Sequence, residues 1–145
     1  MKGMSVIVKK VTQLIVGLIF IYGVYIITHG HLTPGGGFAG GAIIAGGFIL
    51  LVLAFGTDTM KLKKEETGSS IIENLAILVF LIFATAGFFI GYKIFFMNYL
   101  PKGDFGELFS AGLIPIFNIL VGIEVAAALL TIFLALVIFK EEELK

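Results

Sequence analysis

The chain has 145 residues, of which 59% are hydrophobic and 14% charged, against roughly 45–50% and about 25% in an ordinary soluble domain. Ten Lys are matched by ten Asp plus Glu, the formal net charge is zero, and there is no Cys. A soluble single domain could not hide so much apolar surface, no basic excess is available for nucleic acid phosphates, and no thiolate is available for a disulfide, an iron–sulfur cluster or Cys-ligated zinc.

The abundance of Leu, Ile, Val and Phe also excludes a disordered chain. What remains is an all-α integral membrane protein in a lipid bilayer. Crossing about 30 Å of hydrocarbon takes about 20 apolar residues. Four runs in the sequence approach or exceed that length: 11–28, 38–55, 71–97 and 113–139. They predict four transmembrane helices in one membrane domain. Period-two alternation is absent, which argues against a barrel. A signal peptide is the competing reading of the first run, but no small-x-small cleavage site follows it before His29.

Lysine placement sets the expected orientation. Lys2, Lys9, Lys10, Lys61, Lys63, Lys64, Lys140 and Lys145 fall on the side shared by the termini and the loop between the second and third spans. The other side has Lys102, with Lys93 near the end of the third span. Both termini are therefore expected in the cytoplasm. Tyr22, Tyr25, Tyr92 and Tyr99 lie toward the opposite interface, as an aromatic belt would.

Between the first two spans runs His29-Gly-His-Leu-Thr-Pro-Gly-Gly-Gly-Phe-Ala-Gly-Gly41. Its G-x-G-x-x-G spacing is not a dinucleotide site, because an apolar span precedes it rather than the strand of a βαβ unit, and the Gly-Lys-Ser/Thr of a phosphate loop is missing. Pro34 starts a turn, and Gly35, Gly36 and Gly37 permit backbone that other residues avoid. His29 and His31 have no Cys or carboxylate nearby in sequence, so no metal site is expected. They read either as interfacial hydrogen-bonding residues or as proton-handling groups.

Small residues recur every four positions, as Gly36/Gly40, Gly37/Gly41, Ala42/Gly46, Gly87/Gly91 and Gly122/Ala126. In lipid such spacing lets helix backbones approach. It fits packing within the bundle, and the ring of small residues around span two points further, to partner subunits.

At the start of span three, Ser70-Ile-Ile-Glu73 has the capping-box pattern, so Ser70 and Glu73 are expected to cap that helix. Pro101 and Gly103 are expected to end it. Asp104-Phe-Gly-Glu107 could cap a short interfacial helix, and Pro115 fits the first turn of span four.

The string from His29 to Gly41, with Phe38, Gly40 and Gly41 completing it, resembles the signature of the MnhB/MrpB subunit of multisubunit Mrp-type sodium/proton antiporters. Related modules occur in archaeal membrane-bound hydrogenases and sulfur reductases. Ala39 stands where that family usually has Gln, and span four, with Asn118 and Glu124, leans toward the archaeal respiratory version. The resemblance covers essentially the whole chain. It implies a non-catalytic subunit among other antiporter-module membrane subunits in a prokaryotic cell membrane. It implies no cofactor in the chain itself, with sodium ions and protons as the transported species.

Glu124 lies near the centre of span four. An acidic side chain at that depth costs about 2.5–3.5 kcal/mol, and neutralising an ordinary Glu at pH 7 costs about 3.7 kcal/mol. Such balanced costs suit a switchable group in a proton or sodium path. They equally suit a neutral carboxyl that serves assembly. Its helix face includes Leu120, Val121, Ala127, Ala128 and Thr131. Lys93 reads as a residue snorkelling to the interface or as a pathway residue. Gln13, Thr85 and Asn118 are weaker candidates. Three functions follow: an accessory subunit that helps form an ion pathway, a scaffold without ion traffic, or a homo-oligomeric channel.

Overall fold

A computed structural model describes residues 3–56, 62–91, 94–108 and 110–143. It contains four helices: α1 Val6–Thr28, α2 Gly37–Phe55, α3 Leu62–Phe89 and α4 Ile114–Glu143. Each includes a stretch long and apolar enough to cross a membrane. Among the described residues there is no strand. Lys93 and Tyr92 lie outside the described residues.

The first helix starts earlier than its apolar run. Ser5 caps it, its side chain accepting from the Val8 N–H at 3.4 Å, so Lys9 and Lys10 sit within the first turns. The Met4 N–H donates to the Ala54 carbonyl at 2.9 Å, and Lys9 Nζ lies 5.7 Å from the Phe55 ring centre. These contacts place the start of α1 beside the end of α2, as in an antiparallel hairpin.

The third helix corrects two expectations. Ser70 and Glu73 do not cap it. The helix begins at Leu62, and Ser70 lies inside it with its carbonyl accepting from Asn74 Nδ2 at 2.8 Å. The preceding Lys-Lys-Glu-Glu residues are good helix formers, so a start pattern without a break before it does not start a helix. Nor does the helix run to 97. It ends at Phe89, and Gly91 follows with φ +98°, a conformation that favours glycine. The chain then folds back along α3: the Phe96 N–H donates to the Ala84 carbonyl at 3.1 Å. Phe80, Phe96 and Phe117 form an aromatic cluster there, with ring centres 4.7–5.7 Å apart. Asp104–Glu107 forms a turn rather than a helix, with Glu107 N–H donating to the Asp104 carbonyl at 3.4 Å. Pro115 does stand in the first turn of α4.

α4 is the central element. It packs on α3 and α2 and touches α1, whereas α3 packs chiefly on α4. Glycines set these distances. A Cβ added at Gly41 would lie 2.6 Å from the Gly122 carbonyl oxygen, and one at Gly40 would lie 2.7 Å from the Gly23 carbonyl oxygen. The small residues of α2 thus serve two neighbours within the same chain, α4 and α1. Of the pairs expected to meet partner subunits, Gly37, Gly40 and Gly41 are buried internally, while Gly46 faces open space. Only 17–33% of each span's most apolar stretch is buried in the chain. Most of the apolar surface is therefore left to lipid or to other polypeptides.

Candidate functional site

Two places bring chemistry together: a cavity at Glu124 and the turn between α1 and α2. Glu124 is half-buried on α4. It opens on a cavity of about 170 Å³ between α3 and α4, lined also by Ala76, Ile77, Phe80, Leu120 and Val121. Every other lining residue is apolar. The carboxyl makes no hydrogen bond or ion pair among the described residues. A larger open groove of about 370 Å³, lined by Ile27, Phe48, Ile72, Ala126 and Leu130 among others, has no ionisable lining residue.

Ser69 and Thr131 hold α3 against α4. Their hydroxyl oxygens are 2.7 Å apart, and Ser69 is buried. A paired hydroxyl contact between apolar helices is a local source of interhelical attraction in lipid. Sequence reading placed Thr131 on the Glu124 face but missed Ser69. A small polar residue in the last turn before an apolar run was the available signal.

At the other end, the turn closes on the carbonyl of His29. It accepts from the N–H groups of Leu32 and Thr33 at 2.8 and 2.9 Å and from Thr33 Oγ1 at 3.2 Å. His29 is the α1 C-cap, its ring stacked on Tyr25 at 4.1 Å. Its Nδ1 stands 3.0 Å from the Tyr25 carbonyl and 3.1 Å from Thr28 Oγ1. His31 instead reaches the loop after α3, with Nε2 3.4 Å from the Glu107 carbonyl. The two histidines therefore face different partners. Among the described residues, no three His, Cys, Asp or Glu gather to hold a metal.

Gly35 and Gly36 have φ +144° and +90°, with Gly36 as the α2 N-cap. Pro34 is exposed, and Phe38 is 68% exposed at the head of α2. Gly36 and Gly37 both face Asn118 of α4, where a Cβ at Gly37 would collide with the Asn118 carbonyl. The turn is thus shaped by α4 as well as by its own glycines. Asn98, also missed in the sequence, fastens the loop after α3 to the residues just before α4. Its Nδ2 donates to the Ala111 carbonyl at 3.0 Å, and its Oδ1 accepts from the Leu113 N–H at 3.1 Å.

Residues 7–131 match the family model described as a domain related to the MnhB subunit of a Na+/H+ antiporter. An uncharacterized protein of Methanocaldococcus jannaschii is 40% identical over 121 residues, covering 79% of this chain and 45% of that protein. A protein of Staphylococcus aureus strain Newman named as antiporter subunit mnhB2 is 43% identical over 58 residues, 40% of this chain and 41% of that one. The matched region spans less than half the length of these curated relatives. Among solved structures, a chain of the membrane-bound sulfane sulfur reductase, an archaeal respiratory membrane complex, superposes with TM-score 0.76 at 36% identity. The match covers 89% of this chain and 56% of that one.

Proposed function

The chain belongs to the family of domains related to the MnhB antiporter subunit, and from that premise we propose that it is a non-catalytic subunit of a multisubunit sodium/proton antiporter module. Its place is within a respiratory ion-pumping complex of a prokaryotic cell membrane. Both termini lie in the cytoplasm, and the His29–Gly36 turn lies outside. The module's other membrane subunits cover part of the apolar surface left exposed.

The observation that carries this reading is the Glu124 carboxyl, which has no partner among the described residues and opens on a cavity of otherwise apolar residues. An intramembrane acid needs company or a proton. A neighbouring subunit or a transported ion supplies it in the assembly. His29 and His31 at the turn, together with Lys93, are further residues of the path. Few polar groups lie between these levels, so the path is shared with other subunits rather than contained here.

Glu124→Gln in the assembled complex tests the proposal. The amide keeps the size and hydrogen-bonding reach of the side chain but cannot exchange a proton or balance a cation. Assembly retained with sodium-coupled proton transport lost is the expected result. Unchanged transport leaves a scaffold without ion traffic.

A further inference from the structure

Two buried polar atoms find no hydrogen-bond partner among the described residues: Nδ1 of His31 and Nδ2 of Asn118. Both lie at the turn between α1 and α2. A Cβ at Gly30, next to His31 in sequence, would stand 2.9 Å from Asn118 Nδ2, and one at Gly36 would stand 3.5 Å from Asn118 Oδ1. The absence of side chains at these two positions leaves the Asn118 amide its room.

In a neutral ring, a hydrogen bond to a carbonyl requires the proton on the nitrogen that faces it. A carbonyl only accepts, so the ring nitrogen facing it is the one bearing hydrogen. His31 donates from Nε2 to the Glu107 carbonyl, and in the neutral ring Nδ1 is then a bare acceptor. His29 donates from Nδ1 to the Tyr25 carbonyl, the opposite tautomer. The unpartnered atoms are therefore complementary: an acceptor on His31 and a donor on Asn118. Buried polar groups of this kind are normally satisfied by ordered water.

We propose that a buried water beneath the turn bridges them, accepting from Asn118 Nδ2–H and donating to His31 Nδ1. His31 Nδ1 is then a buried proton acceptor at this end of the chain. A proton passes from the water to Nδ1, giving an imidazolium with N–H at both nitrogens, and the water is reprotonated from solvent at the turn. The reverse step returns the proton, so no other reactant is consumed. Asn118 is a positioning residue that holds the water. Besides His31, the titratable groups on the surrounding elements, among the described residues, include His29 on the same turn, Tyr25 on α1, Tyr99, Lys102, Asp104 and Glu107 on the facing loop, and Glu124 further along α4. Glu107 meets the ring through its backbone carbonyl. That this proton exchange serves transport rests on the function proposed above. The water site itself rests on the two unpartnered buried atoms and on the nearness of Gly30, beside His31, to the Asn118 amide.

The test is nitrogen NMR on the full chain, labelled at histidine, in lipid bilayers. The chain has two His, and His31→Gln identifies the signals of its ring. The expected spectrum shows His31 with hydrogen on Nε2 and magnetisation transfer from water to Nδ1. Asn118→Leu removes that transfer. The near-isosteric Asn118→Asp replaces the donor with an acidic acceptor and shifts His31 toward the doubly protonated form at neutral pH. The His29 signals stay the same in both variants. A neutral His31 ring with hydrogen on Nδ1 and none on Nε2, no contact with water, or a His31 spectrum indifferent to both Asn118 variants overturns the proposal. These readouts do not depend on transport. A chain that shows them while Glu124→Gln leaves antiport intact keeps the water site and loses the functional reading.

Discussion

Gly41 of α2 meets Gly122 of α4 backbone to backbone, so closely that an added Cβ would lie 2.6 Å from the Gly122 carbonyl oxygen. The obstacle is main chain, which cannot rotate aside as a side chain can. Gly41→Ala is expected to push α2 off α4 and destabilise the folded chain by about 1–3 kcal/mol, the usual cost of overpacking. Gly46→Ala on the same helix faces open space and is expected to stay within about 0.5 kcal/mol of the parent. Unfolding midpoints in detergent compare the two. Equal effects would show that α2 does not dock as described.

Asn98 satisfies a donor and an acceptor on opposite sides of Gly112. Asn98→Leu leaves both backbone groups without those partners, a loss of about 1–3 kcal/mol. Faster amide hydrogen exchange at Leu113 is the local signature. An unchanged exchange rate would remove Asn98 as the fastening of this loop.

The Ser69–Thr131 contact joins α3 to the one helix on which it chiefly packs. A double-mutant cycle with Ser69→Ala and Thr131→Val is expected to return a coupling of about 0.6 kcal/mol and at most about 1.7 kcal/mol, the average and the maximum found for hydrogen bonds between membrane helices. A coupling near zero would mean that the two hydroxyls act independently.

Glu124→Leu separates stability from function. The carboxyl has no partner among the described residues, so replacing it with an apolar group of similar size is expected to stabilise the isolated chain, by up to about 2–3 kcal/mol. Transport by the complex is expected to be lost. Such opposition between stability and activity is common at functional sites. If the isolated chain were destabilised instead, Glu124 would have an internal partner.

The four spans were legible because hydropathy reports lipid directly, and the glycine turn because Pro34 and Gly35–Gly37 have few other uses. The bounds of α3 were not. Lysine and glutamate before Gly68 look like a loop when only apolarity is counted, yet they favour helix and can continue one into water. Its far end depends on Phe96 bonding back to Ala84, a contact between distant residues that no local pattern announces. Small-residue spacing in α2 showed that neighbours come close, but not that they are α1 and α4 of the same chain. His29 and His31 stood out as residue types. Their different partners, the Tyr25 and Glu107 carbonyls, needed the folded positions.

Under the proposed function this chain moves ions only in company with other subunits. The direct measurement is sodium-dependent proton flux in sealed vesicles holding either the purified chain or the complex recovered with it after mild detergent extraction. The account predicts no flux from the chain by itself and coupled flux from the complex. Coupled flux from the chain alone would contradict it.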